Sequence, residues 1–343
     1  MLRLILLLLL AAARLQGAGK LDIYVIDVEG GKAVLFVSPS GESMLVDAGW
    51  PSGLTNIPPS VDRIIEVAQA AGLKKIDHVV ISHFDVDHLG DVPLLASKIP
   101  LGHLYDHGDI QTTPANAVRA QQRFAPYAAF REKVPHTTLK AGDRVPLKGV
   151  DIHVVAAGGM LITKALAQAG KPNPLCPTNK QLDSVPSDVE DDQSIGLVIS
   201  FGTFRMLDLA DLEAHKSHDL VCPNNLLGTF DVYNVNVHGQ FKGIAPELVG
   251  AVKSRVIIQA NGARKGADAR TWPILSEATD RVDIWQLHYS QNAGREANPP
   301  EDFIANPEGP DAFRQIRISA APDGSFAVTN ARNNFTRRYP PVH

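Results

Sequence analysis

The sequence predicts a mixed α/β fold on three observations: period-two strand patterns near both ends, a helix-rich middle, and a helix, a buried strand and a polar loop in direct succession over residues 60–88. With 343 residues and 44% hydrophobic side chains, the chain can fill one large core or two smaller ones.

The elements follow in order. Met1-Leu2-Arg3 and the apolar run Leu4 to Ala13 have the layout of an export signal, with Gly17, Ala18 and Gly19 as small residues for cleavage. The run is shorter than the roughly 20 residues a bilayer span needs. Residues 1–19 are therefore read as a signal peptide, the mature protein as periplasmic or secreted, and stable membrane insertion is not expected once the signal is gone. Loss of Arg3 and Arg14 leaves 31 basic against 37 acidic residues, a net charge of −6. The chain also has no Lys/Arg-rich block, which weighs against nucleic acid as the main partner.

Strand patterns at Leu21–Asp27, Lys32–Val37 and Ser43–Asp47 are separated by Gly30-Gly31 and Pro39-Ser40-Gly41 and form a β-meander. Val61, Ile64, Ile65, Val67, Ala68 and Ala71 have helical spacing, and the helix stops at Gly72. Ile76 to Ser82 is a buried strand that delivers the following residues at its C-terminal end. A polar helix spans Gln111 to Lys133, and Val150 to Ala156 is a strand. The Pro-, Gly-, Asn- and Asp-rich stretch from about 158 to 192 is an irregular, exposed insertion placed to fold over a site. Strands at Ser194–Ser200 and Phe204–Leu209 flank Phe201-Gly202-Thr203, and Phe230–Val237 and Arg255–Gln259 are two further buried strands. The Asp323-Gly324 turn marks a terminal hairpin. Cys176 and Cys222 lack metal-binding spacing. An even pair in an exported chain is consistent with a disulfide worth roughly 3–4 kcal/mol, the alternative being two separate buried thiols.

The chemistry concentrates in His83-Phe84-Asp85-Val86-Asp87-His88. Ligands at i and i+2 of an extended loop point the same way, and the adjacent Asp87-His88 turns toward a neighbouring ion, so one loop serves two metals.

This run resembles the H-x-H-x-D-H signature of the metallo-β-lactamase superfamily, with Asp85 at the place of the second histidine. Four more segments follow the same order. Asp27-Val28-Glu29-Gly30-Gly31 and Leu45-Val46-Asp47-Ala48-Gly49 are similar to the D-V-G-Q-G-D and I-D-A-G segments of the soluble domain of the competence protein ComEC. Arg205 to Asp211 resembles the strand ending in a metal-bridging aspartate, and Asp231 to Gly239 is similar to the D-V-x-K-V-x-H-H-G-S run. The resemblance covers roughly residues 21 to 265. It implies a four-layer αββα sandwich, with residues 20–343 as a single domain.

The resemblance also implies a ligand set. His83 and Asp85 hold the first metal, Asp87 and His88 the second, Asp211 bridges, and His238 completes the second site. Asp87 further orients the attacking water or shuttles its proton. Zinc is the first expectation for both ions. Asp85, a hard anionic ligand in place of an imidazole, tilts the first site toward manganese or iron. The histidine that many members supply before the bridging-aspartate strand pair is missing, and Asp192 and His107 compete for its place. Arg264 and Lys265, beyond His238, are candidates to bind a carboxylate or phosphate of the substrate. The expected function is hydrolysis of a small or extended ester, amide, lactam or phosphodiester by a two-metal centre with a bridging hydroxide. The alternative is a degenerate, non-catalytic binding protein that keeps the fold.

Overall fold

The computed structural model describes residues 19–53, 59–177, 188–278, 282–309 and 313–342. The expected signal peptide, save Gly19, and residues 178–187 of the expected insertion lie outside the described residues. No helix among the described residues is long and apolar enough to cross a membrane.

The first half contributes strands β1 (Leu21–Val25), β2 (Val34–Val37), β3 (Ser43–Val46), β4 (Ile76–Val80), β5 (Leu101–Asp106) and β6 (His136–Thr138). Its helices are α1 (Ser60–Ala70), α2 (Val86–Leu89), α3 (Val92–Lys98) and α4 (Ala117–Arg131). The second half contributes β7 (Asp151–Ala157), β8 (Met160–Leu161), β9 (Lys171–Pro172), β10 (Gly196–Phe201), β11 (Phe204–Asp208), β12 (Asn224–Asn225), β13 (Val232–Asn234), β14 (Val256–Gln259), β15 (Asp283–His288), β16 (Ile304–Asn306), β17 (Ile316–Ala320), β18 (Phe326–Asn330) and β19 (Thr336–Tyr339). Helices α5 (Ala214–Asp219), α6 (Pro246–Val252) and α7 (Trp272–Ser276) accompany them.

Among the described residues two large sheets form, ordered β19-β18-β17-β1-β2-β3-β4-β5-β6 and β16-β15-β14-β13-β11-β10-β7-β8. Each is antiparallel at one side and parallel at the other: β3 to β6 run parallel in the first, β11, β13, β14, β15 and β16 in the second. Period-two burial explains the packing, as in β1, where Leu21, Ile23 and Val25 are buried between the sheets while Asp22 and Tyr24 are half-buried on the other face. Val154, Ile199, Met206 and Trp285 of the second sheet join the same inter-sheet core.

Each outer sheet face is covered by helices. Val61, Ile64, Val67 and Ala68 of α1, Leu95 of α3, and Phe124 and Tyr127 of α4 pack on the first sheet. Leu248 of α6 and Leu275 of α7 pack on the second. The result is an αββα sandwich. The parallel strands of both sheets end at one edge, where an α/β fold places its ligand crevice.

The chain ending of α1 follows the sequence pattern, since Gly72 has φ +77° and its N–H donates to Gln69 O at 2.9 Å. Several boundaries differ from the sequence expectation, most of them by one or two residues. The helix expected from Gln111 starts at Ala117, after a turn in which Asn116 Oδ1 accepts from Thr113 N at 2.8 Å. The strand expected over Ser194–Ser200 runs from Gly196 to Phe201. The strand expected over Phe230–Val237 is confined to Val232–Asn234, because the chain then tightens into a turn that carries His238. The terminal hairpin forms as β17–β18 around Asp323-Gly324, and β19 adds a further edge strand.

Cys176 and Cys222 form a disulfide across 46 residues, with Cα atoms 5.7 Å apart. It ties the 158–192 insertion to the chain just after α5. The insertion is not exposed throughout: Glu190 and Asp191, at its end, are each 2% exposed. Glu190 Oε1 accepts from Phe84 N at 2.8 Å, which docks the insertion onto the His83–His88 loop.

Candidate metal centre

The loop His83–His88 leaves β4 where the two sheets' parallel strands end. Asp47, just past the neighbouring β3, anchors its start: Ser82 donates its N–H to Asp47 Oδ1 at 2.7 Å and its hydroxyl to Oδ2 at 2.8 Å. His88 lies on α2, the short helical turn that this anchor supports. Its Nδ1 lies 3.0 Å from Asp47 Oδ2, so the carboxylate fixes the ring with Nε2 turned away from the sheet.

His238 is delivered differently. Val237 and His238 have φ of 49° and 54°, a left-handed backbone that β-branched valine rarely adopts. That turn swings His238 out of line with β13, and its Nδ1 donates to Ala260 O at 3.0 Å. Nε2 is thereby left facing the edge. His83 Nδ1 lies 3.1 Å from Ser82 Oγ, and its Nε2 is buried with no hydrogen-bond partner among the described residues.

The three imidazoles meet four carboxylates. His88 Nε2 lies 3.4 Å from Asp87 Oδ2 and 3.3 Å from Asp211 Oδ1. His238 Nε2 lies 3.2 Å from Asp87 Oδ2 and 3.4 Å from Asp211 Oδ2. His83 Nε2 lies 3.5 Å from Asp191 Oδ1. Within 4.8 Å of one another stand the donor atoms of His83, Asp85 and Asp191; of Asp87, His88 and His238; and of His83, His88 and Asp211. Asp211 thus touches both halves of the cluster.

The electrostatics are those of crowded negative charge. Burial, then Asp87 and Asp188, push the Asp85 carboxyl up to about 7. Burial, then Asp211, push Asp191 up to about 9 against the pull of Lys242. Burial also opposes ionisation of Asp87 and Asp211, but their cationic neighbours prevail and both lie well below the usual carboxylate range: Lys265 and His88 act on Asp87, His238 and His88 on Asp211. Burial works against the charge on His88, yet Asp211, Asp87 and Asp47 raise it well above the ordinary histidine value. Burial and then His88 hold His83 well below it.

Two lysines answer part of this charge. Lys265 forms an ion pair with Asp87, and Lys242 forms one with Asp191 and lies 3.3 Å from Glu213. Beneath the cluster Lys32, itself 3% exposed, joins the sheets, with Nζ 2.5 Å from Asp208 Oδ1 and 3.7 Å from Asp47 Oδ2.

The donor set fits divalent cations. An orphaned, buried imidazole nitrogen, two imidazole nitrogens in direct contact and four converging carboxylates are the ligands that transition ions take, and imidazole with carboxylate suits zinc, iron and manganese alike. Both cysteines are bonded to each other, so thiolate plays no part.

Of the residues expected from the sequence, His83, Asp85, Asp87, His88, Asp211 and His238 are brought together. Asp192 and His107 are not. Residues 191–193 form a 3₁₀ turn, in which successive side chains point about 120° apart, so Asp191 faces His83 while Asp192 Oδ2 turns to His215 Nε2 at 3.2 Å. His107 packs on Phe84 and places Nε2 2.8 Å from Glu190 Oε1. Its role is to seat the insertion beside the loop. Lys265 reaches the cluster through Asp87, whereas Arg264 is exposed and bonds Gln291 Oε1 at 2.9 Å. Both line a cavity of about 370 Å³ with Gln240, Arg270 and Asn292. Asp191 and Lys242 were missed from the sequence. Asp191 had a signal, the acidic run Glu190-Asp191-Asp192, but the run does not say which carboxylate turns inward.

Residues 26–161 match the family model described as Metallo-beta-lactamase superfamily. With the layers above, the fold is the metallo-β-lactamase αββα sandwich that the motif resemblance implies. Among solved structures, the metallo-beta-lactamase fold protein YhfI from Bacillus subtilis is 13% identical, with 78% of this chain and 96% of that chain covered at a TM-score of 0.44. Igni18, a novel metallo hydrolase from the hyperthermophilic archaeon Ignicoccus hospitalis, is 11% identical over 78% of this chain and 95% of that chain, TM-score 0.41. CmlA, a diiron beta-hydroxylase from Streptomyces venezuelae, is 16% identical over 78% of this chain and 48% of that chain, TM-score 0.38. No curated protein matches the chain.

Proposed function

We propose that this chain is a hydrolase that uses two divalent metal ions, zinc in the first instance and manganese or iron as alternatives, to cleave an ester, amide, lactam or phosphodiester outside the cytoplasm. The observation that carries the reading is the convergence of three imidazole Nε2 atoms and four carboxylates on one buried edge, with His83 Nε2 lacking any hydrogen-bond partner among the described residues. His83, Asp85 and Asp191 would hold one ion, Asp87, His88 and His238 would hold the other, and Asp211, beside both His83 and His88, would serve either.

When bound, the ions supply Lewis acidity and a nucleophilic water at neutral pH. The protein's own groups do the rest. Asp47 and the Ala260 carbonyl hold His88 and His238 by Nδ1, so that Nε2 of each stays turned to the centre. Asp87, kept ionised by Lys265 and His88, would orient the attacking water through its carboxylate. Lys265, with Arg264 beside it, neutralises the charge that develops on the substrate oxygen or holds an anionic group next to it. The oxygen-rich first position favours manganese or iron more than a three-histidine site would.

The motif order further aligns the chain with the ComEC-type branch, which speaks for phosphodiesters. The net charge of −6 after signal loss and the scattered basic residues speak against a nucleic-acid polymer. An oxidising compartment is supported by the disulfide and by the leader-like residues 1–19.

A second reading has a specific observation in its favour. Lys265 and Lys242 already pair with one carboxylate in each half of the cluster, as in a binding protein that has exchanged metals for lysines. Metal analysis of the purified protein, coupled to chromogenic phosphodiester, lactam, lactone and ester substrates with and without zinc or manganese, decides between them. Two ions per chain with turnover of one substrate class is the expected result. No uptake after reconstitution would establish the binding protein instead.

A further inference from the structure

Glu190, at the end of the insertion, is a buried carboxylate that the hydrolytic reading leaves without a task. Its Oε1 accepts from Phe84 N at 2.8 Å and lies 2.8 Å from His107 Nε2, and its Oε2 accepts from Gln111 N at 2.7 Å. A carboxylate at this depth is tolerated only with such partners. They come from the loops after β4 and β5, so one side chain ties both loops to the insertion. The His107 ring also packs on Phe84, with ring centres 4.4 Å apart.

The place of the bond to Phe84 bears on the ligands. Phe84 stands between His83 and Asp85, and Glu190 stands next to Asp191, so His83, Asp85 and Asp191 each lie one residue from an end of this single hydrogen bond. A second tie, from Ile195 N to Ser82 O at 2.9 Å, lies on the far side of both His83 and Asp191. One tie alone would let the two segments turn about it; two fix their orientation, with Asp191 Oδ1 3.5 Å from His83 Nε2. Lys242 completes the aim by pairing with Oδ2 of Asp191. The other half of the cluster is placed independently, His88 by Asp47 and His238 by the Ala260 carbonyl.

We propose that Glu190 is the positioning residue of the first metal site: through Phe84 N it fixes His83 and Asp85 against Asp191, so that the first ion is held only while the insertion is docked, and the second ion binds without it. The inference rests on the two-metal reading and adds regulation to it, since undocking the insertion empties one site and not the other. Glu190 is not among the donors that converge on the cluster, so its effect runs through the backbone of the loop. Groups that orient metal ligands from behind change metal affinity by roughly 10- to 100-fold.

The test is zinc titration of the full chain against a chromophoric chelator, which counts the sites and gives the affinity of each. The parent is expected to bind two ions. Glu190→Ala is expected to weaken one of them by about ten-fold or more and to leave the other within about two-fold of the parent. Glu190→Gln, which keeps an oxygen for Phe84 N, is expected to weaken the same ion by about two- to five-fold, and it decides the matter if the alanine variant does not fold. A double variant assigns the ion. Added to Asp191→Ala, Glu190→Ala should cost no further metal, because both act on one site. Both ions weakened alike, neither weakened, or further loss on top of Asp191→Ala overturns the proposal while the two-metal reading stands. A parent chain that takes up fewer than two ions overturns that reading, and the proposal falls with it.

Discussion

Nε2 of His88 and Nε2 of His238 lie 3.1 Å apart, although the residues are 150 positions apart in the chain and both side chains are at most 1% exposed. Two imidazoles that meet nitrogen to nitrogen need a proton or a cation between them, and Asp87 and Asp211 converge on the same point. His238→Ala and Asp211→Ala are therefore expected to lose most bound metal, and His83→Ala likewise, with hydrolysis falling by at least two orders of magnitude in step. Mass-spectrometric metal content beside activity checks this. Full activity in a metal-free variant would refute the two-metal scheme.

The acidic run at the end of the insertion separates two neighbours cleanly. Asp191 faces His83 and Lys242, and Asp192 faces His215. Asp191→Ala should remove about one of two metal equivalents, and Asp192→Ala should leave the content unchanged. The reverse pattern would show that the turn at 191–193 sits in the other register when metal binds.

Asp85 should make the chelator-treated protein less stable as pH rises. Its carboxyl titrates at about 7 in the folded state against an ordinary value of 3.8. Below about pH 4 both states are protonated; between there and about pH 7 the unfolded chain loses a proton that the fold retains, so stability falls across that window. His88, also raised, adds a loss in the same direction, since its contribution is complete below the ordinary histidine value and fades as pH climbs through the folded one. Urea denaturation at pH 4.5 and 7.5 should show Asp85→Asn gaining on the parent at the higher pH only. An identical gap at both values would remove Asp85 as the cause.

Lys32 should matter to the fold more than to the chemistry. It is the buried cation between Asp208 and Asp47, one from each sheet. Lys32→Met leaves two buried carboxylates without their partner, a change that costs about 3–5 kcal/mol. A loss under about 1 kcal/mol in urea denaturation would mean that Asn234 Nδ2, 3.0 Å from Asp208 Oδ2, compensates by itself.

The sequence by itself determined the elements whose cause is local. Period-two burial set β1, the spacing of Val61, Ile64, Val67 and Ala68 set α1 up to Gly72, and the His83–His88 run announced its chemistry because its donors are crowded into one loop. Asp211 and His238 were legible through their motif neighbours. What only the tertiary structure decided depends on direction and distance across the chain. A 3₁₀ turn chose Asp191 over Asp192, a left-handed backbone at Val237 and His238 cut short an expected strand, and Lys242 arrived at the cluster from a turn with no motif of its own. Side-chain patterns record which face of an element is buried; they do not record what that face meets, and that meeting is what makes a site.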